Sequence, residues 1–225
     1  MKYFKELQEG VYDPNIFKAF FLAGGPGSGK SYVVGNTTAM FGMRIVNSDD
    51  LFEKMIKNAG MTMKMNTPLG KKQEPERDKL RDTAKRITKL RQKNYIEGRL
   101  GLIIDGTGKE FDKIESQMRE LQQLGYESHM IFVNTSLDVA LERNEKRDRT
   151  LPEPIVVKSW NDVQKNIGKF SQLFKNKFII MDNNDKDENV IKDVYKRVRA
   201  LANKKVTNGI AKQWIANELQ MKRRV

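Results

Sequence analysis

Apolar residues recur along this chain in short blocks separated by longer amphipathic stretches. Five blocks, Lys18–Ala23, Met43–Asn47, Leu102–Asp105, Met130–Asn134 and Lys177–Met181, are β-branched or aromatic in character and predict strands. The stretches between them predict helices over Lys30–Met40, Asp50–Asn58, Glu76–Glu97, Phe111–Leu124, Leu137–Arg147, Pro154–Leu173 and Glu188–Asn203. Gly98 and Gly125 stand where helix C-terminal stops are expected. Strands alternating with helical stretches predict an α/β fold, with a parallel sheet of about five strands flanked by helices. The stretch 60–75, with Met61, Met63, Met65, Pro68 and Gly70, predicts a mobile insertion whose methionines either pack the loop or line a groove. Past Ala202, a final helix carries Ile210, Ala211, Trp214, Ile215 and Leu219 on one face, to pack back on the domain or to dock a partner. The division expected is a domain over 1–202, with a helical lid at about 137–153, and a basic C-terminal extension over 203–225.

Between the first strand and first helix lies Gly24-Gly25-Pro26-Gly27-Ser28-Gly29-Lys30-Ser31, a complete G-x-x-x-x-G-K-[ST] phosphate loop followed by Tyr32. Small residues let successive backbone N–H groups turn inward around a triphosphate. Lys30 can then reach the β- and γ-phosphates, and the Ser31 hydroxyl can ligate Mg²⁺. Strand, loop and helix is the context this motif requires. The segment 24–32 is therefore expected to bind a nucleoside triphosphate, assigned as ATP because no Asn-Lys-x-Asp guanine element is present.

Composition narrows the class. The absence of cysteine excludes disulfides, thiolate metal sites and cysteine nucleophiles, and suits a reducing cytoplasm. No apolar run approaches the roughly 18 residues of a membrane span, and the first residues lack the apolar core of a signal peptide. The lone His129 sits in an apolar strand and reads as structural. The net charge of +13 is uneven: residues 71–99 hold eleven Lys/Arg against five Asp/Glu, and residues 196–225 nine against one. Such patches favour polyanions such as nucleic acid, or serve as solvated faces that keep the protein in solution.

Three further clusters distinguish phosphoryl transfer from other uses of a phosphate loop. Asn47-Ser48-Asp49-Asp50 follows the second strand, where open α/β sheets gather ligands. Asp49 is the candidate general base for an attacking hydroxyl, and Asp50 a capping or substrate-side residue. Leu102-Ile103-Ile104-Asp105-Gly106-Thr107 is an apolar strand ending in a carboxylate, so Asp105 is the candidate Mg²⁺ partner and Thr107 a candidate substrate contact. Arg143 and Arg147 lie four apart, share one helix face and are suited to close over the γ-phosphate. Arg149 is the weaker candidate there.

Here the chain resembles known enzymes. The stretch Glu142-Arg143-Asn144-Glu145-Lys146-Arg147, then Leu151-Pro152, looks like the lid of phage-type polynucleotide 5′-kinases. Asn47-Ser48-Asp49-Asp50 resembles their Asn-x-Asp-Asp segment, which places the general base on Asp49, and Asp105-Gly106-Thr107 resembles their Asp-Asn-Thr turn. The layout is also similar to zeta-toxin kinases, which phosphorylate a nucleotide sugar. The resemblance spans roughly residues 16–182 at the level of motifs. The polynucleotide kinases place an Arg shortly after the Asp pair to hold the substrate phosphate; this chain has Leu51 and Phe52 there, so an equivalent cation must come from elsewhere. Ile103 precedes Asp105 where a phosphatase motif would need Asp, so no 3′-phosphatase half is expected.

The expected activity is ATP/Mg²⁺-dependent transfer of a γ-phosphate to a hydroxyl of a nucleic acid or nucleotide. A nucleotide-sugar or other small-molecule kinase is the alternative within enzymes, and a slow, nucleic-acid-binding ATPase the alternative outside them.

Overall fold

The computed structural model describes residues 10–35, 42–185 and 187–223. Five strands, β1 (Lys18–Ala23), β2 (Arg44–Val46), β3 (Leu102–Asp105), β4 (Glu127–Asn134) and β5 (Phe178–Asp182), form one parallel sheet in the order β2-β3-β1-β4-β5. Because all run the same way, every loop leaving a strand end emerges on one edge of the sheet. That edge is where a parallel α/β fold places ligands.

The central strand shows why the sheet holds. Every residue of β1 is buried, as expected of a strand covered on both faces. Its period-2 alternation divides the core. Ala19, Phe21 and Ala23 join Phe132, Phe170 and Phe174 on one side, against α5 (Phe111–Gln123) and α8 (Ile167–Phe174). Phe20 and Leu22 join Ile103, Ile131 and Ile179 on the other, against α9 (Glu188–Ala202) through Val194 and Val198. His129 lies in this second layer, stacked on Phe20 with centroids 4.8 Å apart, and burial pushes its pKa down to about 4. It is a structural strand residue.

A third, smaller core lies outside the sheet. Phe52 and Ile56 of α2 (Ser48–Asn58) pack with Ala84 of the 24-residue helix α4 (Glu74–Glu97) and with Met65, and Met61, Met63 and Leu151 close around them. The stretch expected to be a mobile insertion is thus packed. It forms the short helix α3 (Pro68–Lys72), N-capped by Thr67, and Arg77 Nη1 donates to the Gly70 carbonyl at 2.7 Å. The methionines fill the loop, the first of the two alternatives.

Most element ends fall within two residues of expectation, and several departures are informative. The first helix, α1, is described over Lys30–Val33, and residues 36–40 of the expected helix lie outside the described residues, as does the N-terminal stretch read for a signal peptide. Strand β4 begins at Glu127, three residues early, because Glu127 N donates to the Phe17 carbonyl and extends the ladder. The single helix expected over Pro154–Leu173 is two, α7 (Glu153–Gln164) and α8. They part at Asn166, whose side-chain amide donates to the carbonyls of Gly108 and Lys109 (3.0 Å each). Helix α6 (Leu137–Glu145) stops two residues short of Arg147.

The last helix, α10 (Gly209–Lys222), folds back on the sheet domain. Trp214 meets Phe17 edge to face at 5.5 Å, and Ala211 is fully buried against Gly125, whose φ of +97° and close approach to Ala211 disfavour any side chain there. Among the described residues, no helix is long and apolar enough to cross a membrane.

Candidate active site

The phosphate loop is built by glycines that cannot be replaced. Gly24, Gly27 and Gly29 have φ of +152°, +78° and +88°. A Cβ on Gly27 would lie 2.2 Å from the Ala140 carbonyl oxygen of α6, and one on Gly29 would lie 2.3 Å from the Asn183 amide. Gly27→Ala must therefore move α6 or abandon the loop conformation, a strain of about 1–3 kcal/mol. ATP affinity should fall about 5- to 150-fold, read by calorimetry. Gly168→Ala on α8, where the added methyl meets open space, should leave it unchanged.

Lys30 opens α1. Its ammonium donates to the Gly24 carbonyl at 2.5 Å and lies 3.4 Å from that of Gly25, so it lies folded along the loop it would serve. Burial holds its pKa below the ordinary lysine value, with Arg147 and Arg149 adding to this and Asp105 and Asp49 opposing. Ser31 and Tyr32 are exposed in the same turn. The loop is braced from behind. Asn183, fully buried just after β5, donates to the Ser28 carbonyl at 2.7 Å, and the Thr107 carbonyl accepts from Gly24 N at 2.9 Å. Thr107, expected as a substrate contact, thus supports the loop through its backbone. Asn183 had no motif to mark it beyond its place at a strand's carboxyl end.

The acidic residues converge on the same edge. Asn47 caps α2, its side chain accepting from Asp49 N, so the cap is Asn47 and not Asp50. The amide of Asn47 donates to Asp105 Oδ2 at 3.0 Å and to Asp50 Oδ1 at 3.3 Å, tying the ends of β2 and β3 together. Asp105 Oδ1 is buried with no hydrogen-bond partner. Burial raises the Asp105 pKa, reinforced by Asp49 and Asp50 and opposed by Lys30. A desolvated carboxylate with an open oxygen, beside Lys30, suits a divalent cation. Among the described residues no three acidic or imidazole groups cluster as a metal site.

The lid differs from its expected form. Arg143 sits on α6, and its Nη2 donates to the Asn184 carbonyl at 2.8 Å while Nη1 is buried without a partner beside Gly29. With Asn184, Asp185, Val139 and Lys146 it lines a cavity of about 250 Å³ next to the loop. Arg147 lies in the turn beyond α6, exposed, so the two arginines do not share a helix face. Asn144 makes that turn: its amide donates to the Leu151 carbonyl (2.9 Å) and its Oδ1 accepts from Leu151 N (3.1 Å). The reversal sends Arg149 to the other side of the site. Its Nη2 donates to Asp49 Oδ2 at 3.2 Å and its Nε is 3.4 Å from Glu53. Arg81 of α4 lies 4.5 Å over the Phe52 ring and Arg149 5.9 Å from the same ring. Two guanidinium groups thus stand around Phe52, in a part of α2 that itself carries no cation at positions 51 and 52. Burial would raise the Asp49 pKa, but Arg149, with help from Arg81 and Lys30, holds it below the ordinary value.

A glycine phosphate loop at the carboxyl edge of a five-stranded parallel sheet, with Arg143 beside it, is the architecture of a P-loop kinase. The model of the zeta toxin family matches residues 8–196, and the chain belongs to that family. It is also 32% identical over 128 residues to a cytidylate kinase from Methanothrix thermoacetophila, a match that spans 56% of this chain and 62% of that protein. The fold is similar to those of a gluconokinase from Sinorhizobium meliloti 1021 (TM-score 0.53, 15% identity, 84% of this chain and 95% of that one) and a shikimate kinase from Bacteroides thetaiotaomicron (0.50, 14%, 82% and 97%).

Proposed function

We propose that this kinase transfers the γ-phosphate of ATP to a hydroxyl of a nucleic acid or nucleotide, with Asp49 as general base. The observation that carries this reading is the meeting of Asp49, Lys30 and Asp105 at the carboxyl edge of the sheet, each perturbing the charge of another. Backbone N–H groups of 24–31 cradle the triphosphate, and Lys30 leaves the Gly24 carbonyl to meet the β- and γ-phosphates. Ser31 and Asp105 would hold Mg²⁺, which supplies neutralisation of charge on the transferring phosphoryl group. Arg147 closes from the lid over the γ-phosphate, while Arg143 spans the loop and the cavity beside Asn184. Asp49 accepts the proton of the attacking hydroxyl.

A nucleotide acceptor is supported by the likeness to a cytidylate kinase, and a polymeric one by the net charge of +13. The family match favours a second reading, a small nucleotide-sugar acceptor. A screen with γ-labelled ATP over DNA, RNA, nucleosides, nucleoside monophosphates and nucleotide sugars, at 50 and 200 mM salt, separates these. A polymer should be labelled, with acceptor affinity falling steeply as salt rises. Label on a nucleotide sugar, with little salt dependence, supports the second reading, and label on inorganic phosphate alone refutes both.

The Arg149–Asp49 pair gives a pH prediction. Arg149 depresses the Asp49 pKa, and a base works only above its pKa. Arg149→Gln should therefore shift the acid limb of kcat/KM to higher pH, and an unmoved limb would separate Arg149 from the base.

A further inference from the structure

We infer that Arg81 and Arg149 form the docking site for an anionic group carried by the acceptor, and that Arg149 turns from Asp49 to that group as the acceptor binds. The inference rests on the assignment of Asp49 to the acceptor side of the site. Two guanidinium groups from separate elements, α4 and the segment after α6, converge on the ring of the fully buried Phe52. Phe52 follows Asp49 by three residues on α2, so it shares a helix face with the base. It presents both cations beside it.

The hydrogen bonding of Arg149 is incomplete in a way that suits an anion. Its side chain is only 10% exposed. One bond, from Nη2 to Asp49, is formed, whereas Nε and Nη1 are buried without a hydrogen-bond partner, Glu53 standing 3.4 Å from Nε outside hydrogen-bond geometry. Leaving such donors buried and unmet is costly, and a phosphate or carboxylate offers acceptors in the planar, forked arrangement that a guanidinium matches. Arg81 is 38% exposed and its ion pair with Asp78 is long, at 3.9 Å, so it is free to turn inward. The acids facing this pair are Asp49, Glu53 and Asp78.

Geometry sets the acceptor class. An anion bonded to Nη2 lies within three hydrogen-bond lengths, about 9 Å, of a hydroxyl held by Asp49. The acceptor then carries its phosphate a few bonds from the hydroxyl that is phosphorylated, as a nucleoside monophosphate does. Docking would also remove the cation that weakens Asp49 as a base, so an unphosphorylated nucleoside would both bind less tightly and leave the base paired.

The test is binding, so it needs no turnover. With Mg²⁺ and a saturating non-hydrolysable ATP analogue, calorimetry would compare cytidine, cytidine 3′-monophosphate and cytidine 5′-monophosphate on wild-type protein, Arg81→Gln, Arg81→Lys and Arg149→Gln. At least one monophosphate should bind the wild type about tenfold more tightly than cytidine. Arg81→Gln and Arg149→Gln should each remove most of that preference, Arg81→Lys should keep part of it, and affinity for the ATP analogue should change less than about twofold in Arg81→Gln. No preference in the wild type, or a preference that survives both Gln variants, overturns the site. An Arg81-dependent preference without transfer to any hydroxyl upholds the site and refutes the acceptor assignment instead.

Discussion

A Lys30→Ala protein should fold normally and transfer phosphate at least about 10²–10³-fold more slowly, the loss typical of removing one preorganised charge from a developing anion. The ammonium is the one cation within the loop itself, donating to the Gly24 carbonyl. Its removal leaves the sheet core untouched, because the buried apolar residue of α1 is Val33, whereas the Lys30 side chain lies along the loop. It also relieves the desolvation that holds the Lys30 pKa down, so thermal stability should be retained. Circular dichroism melts and single-turnover rates check both halves. A folded variant that retains turnover within tenfold of wild type would contradict the phosphate-loop role.

Asp49→Asn should cost about 10²–10⁴-fold in turnover, the usual contribution of a positioned base, with ATP affinity near normal because Asp49 sits at the start of α2 and outside the loop. The variant keeps the shape of the side chain and the backbone cap from Asn47, so a loss of rate cannot be charged to unfolding. Asp50→Asn should have a small effect, since the bond that Asp50 accepts from Asn47 is long, at 3.3 Å. If the large loss falls on Asp50→Asn, the two carboxylates exchange roles.

Much of this site is written locally and so could be read without coordinates. β1 and β3 occupy the predicted residues, because a short apolar run ended by glycines or a carboxylate leaves little choice of boundary. The phosphate loop follows from its glycines alone. What escaped was set by contacts between distant residues. Asn183 braces Ser28 across 155 positions, and Arg149 reaches Asp49 across 100. No periodicity encodes such pairs. The stop of α6 was hidden for a related reason: residues 142–149 are all compatible with helix by propensity, and it is the two bonds between Asn144 and Leu151 that turn the chain. That turn separates Arg147 from Arg143 and delivers Arg149 to the base. The break between α7 and α8 likewise depends on Asn166 finding the carbonyls of Gly108 and Lys109, 58 and 57 positions away.

The central claim is that the γ-phosphate leaves ATP for an acceptor hydroxyl activated by Asp49. Its most direct test is a single-turnover experiment with γ-labelled ATP, using the acceptor that the screen identifies, on wild-type protein and Asp49→Asn. The account predicts that the label appears on the acceptor in the wild type and that Asp49→Asn slows this transfer about 10²–10⁴-fold while ATP remains bound. Label released as inorganic phosphate at the same rate with or without acceptor, and equally in Asp49→Asn, would contradict it.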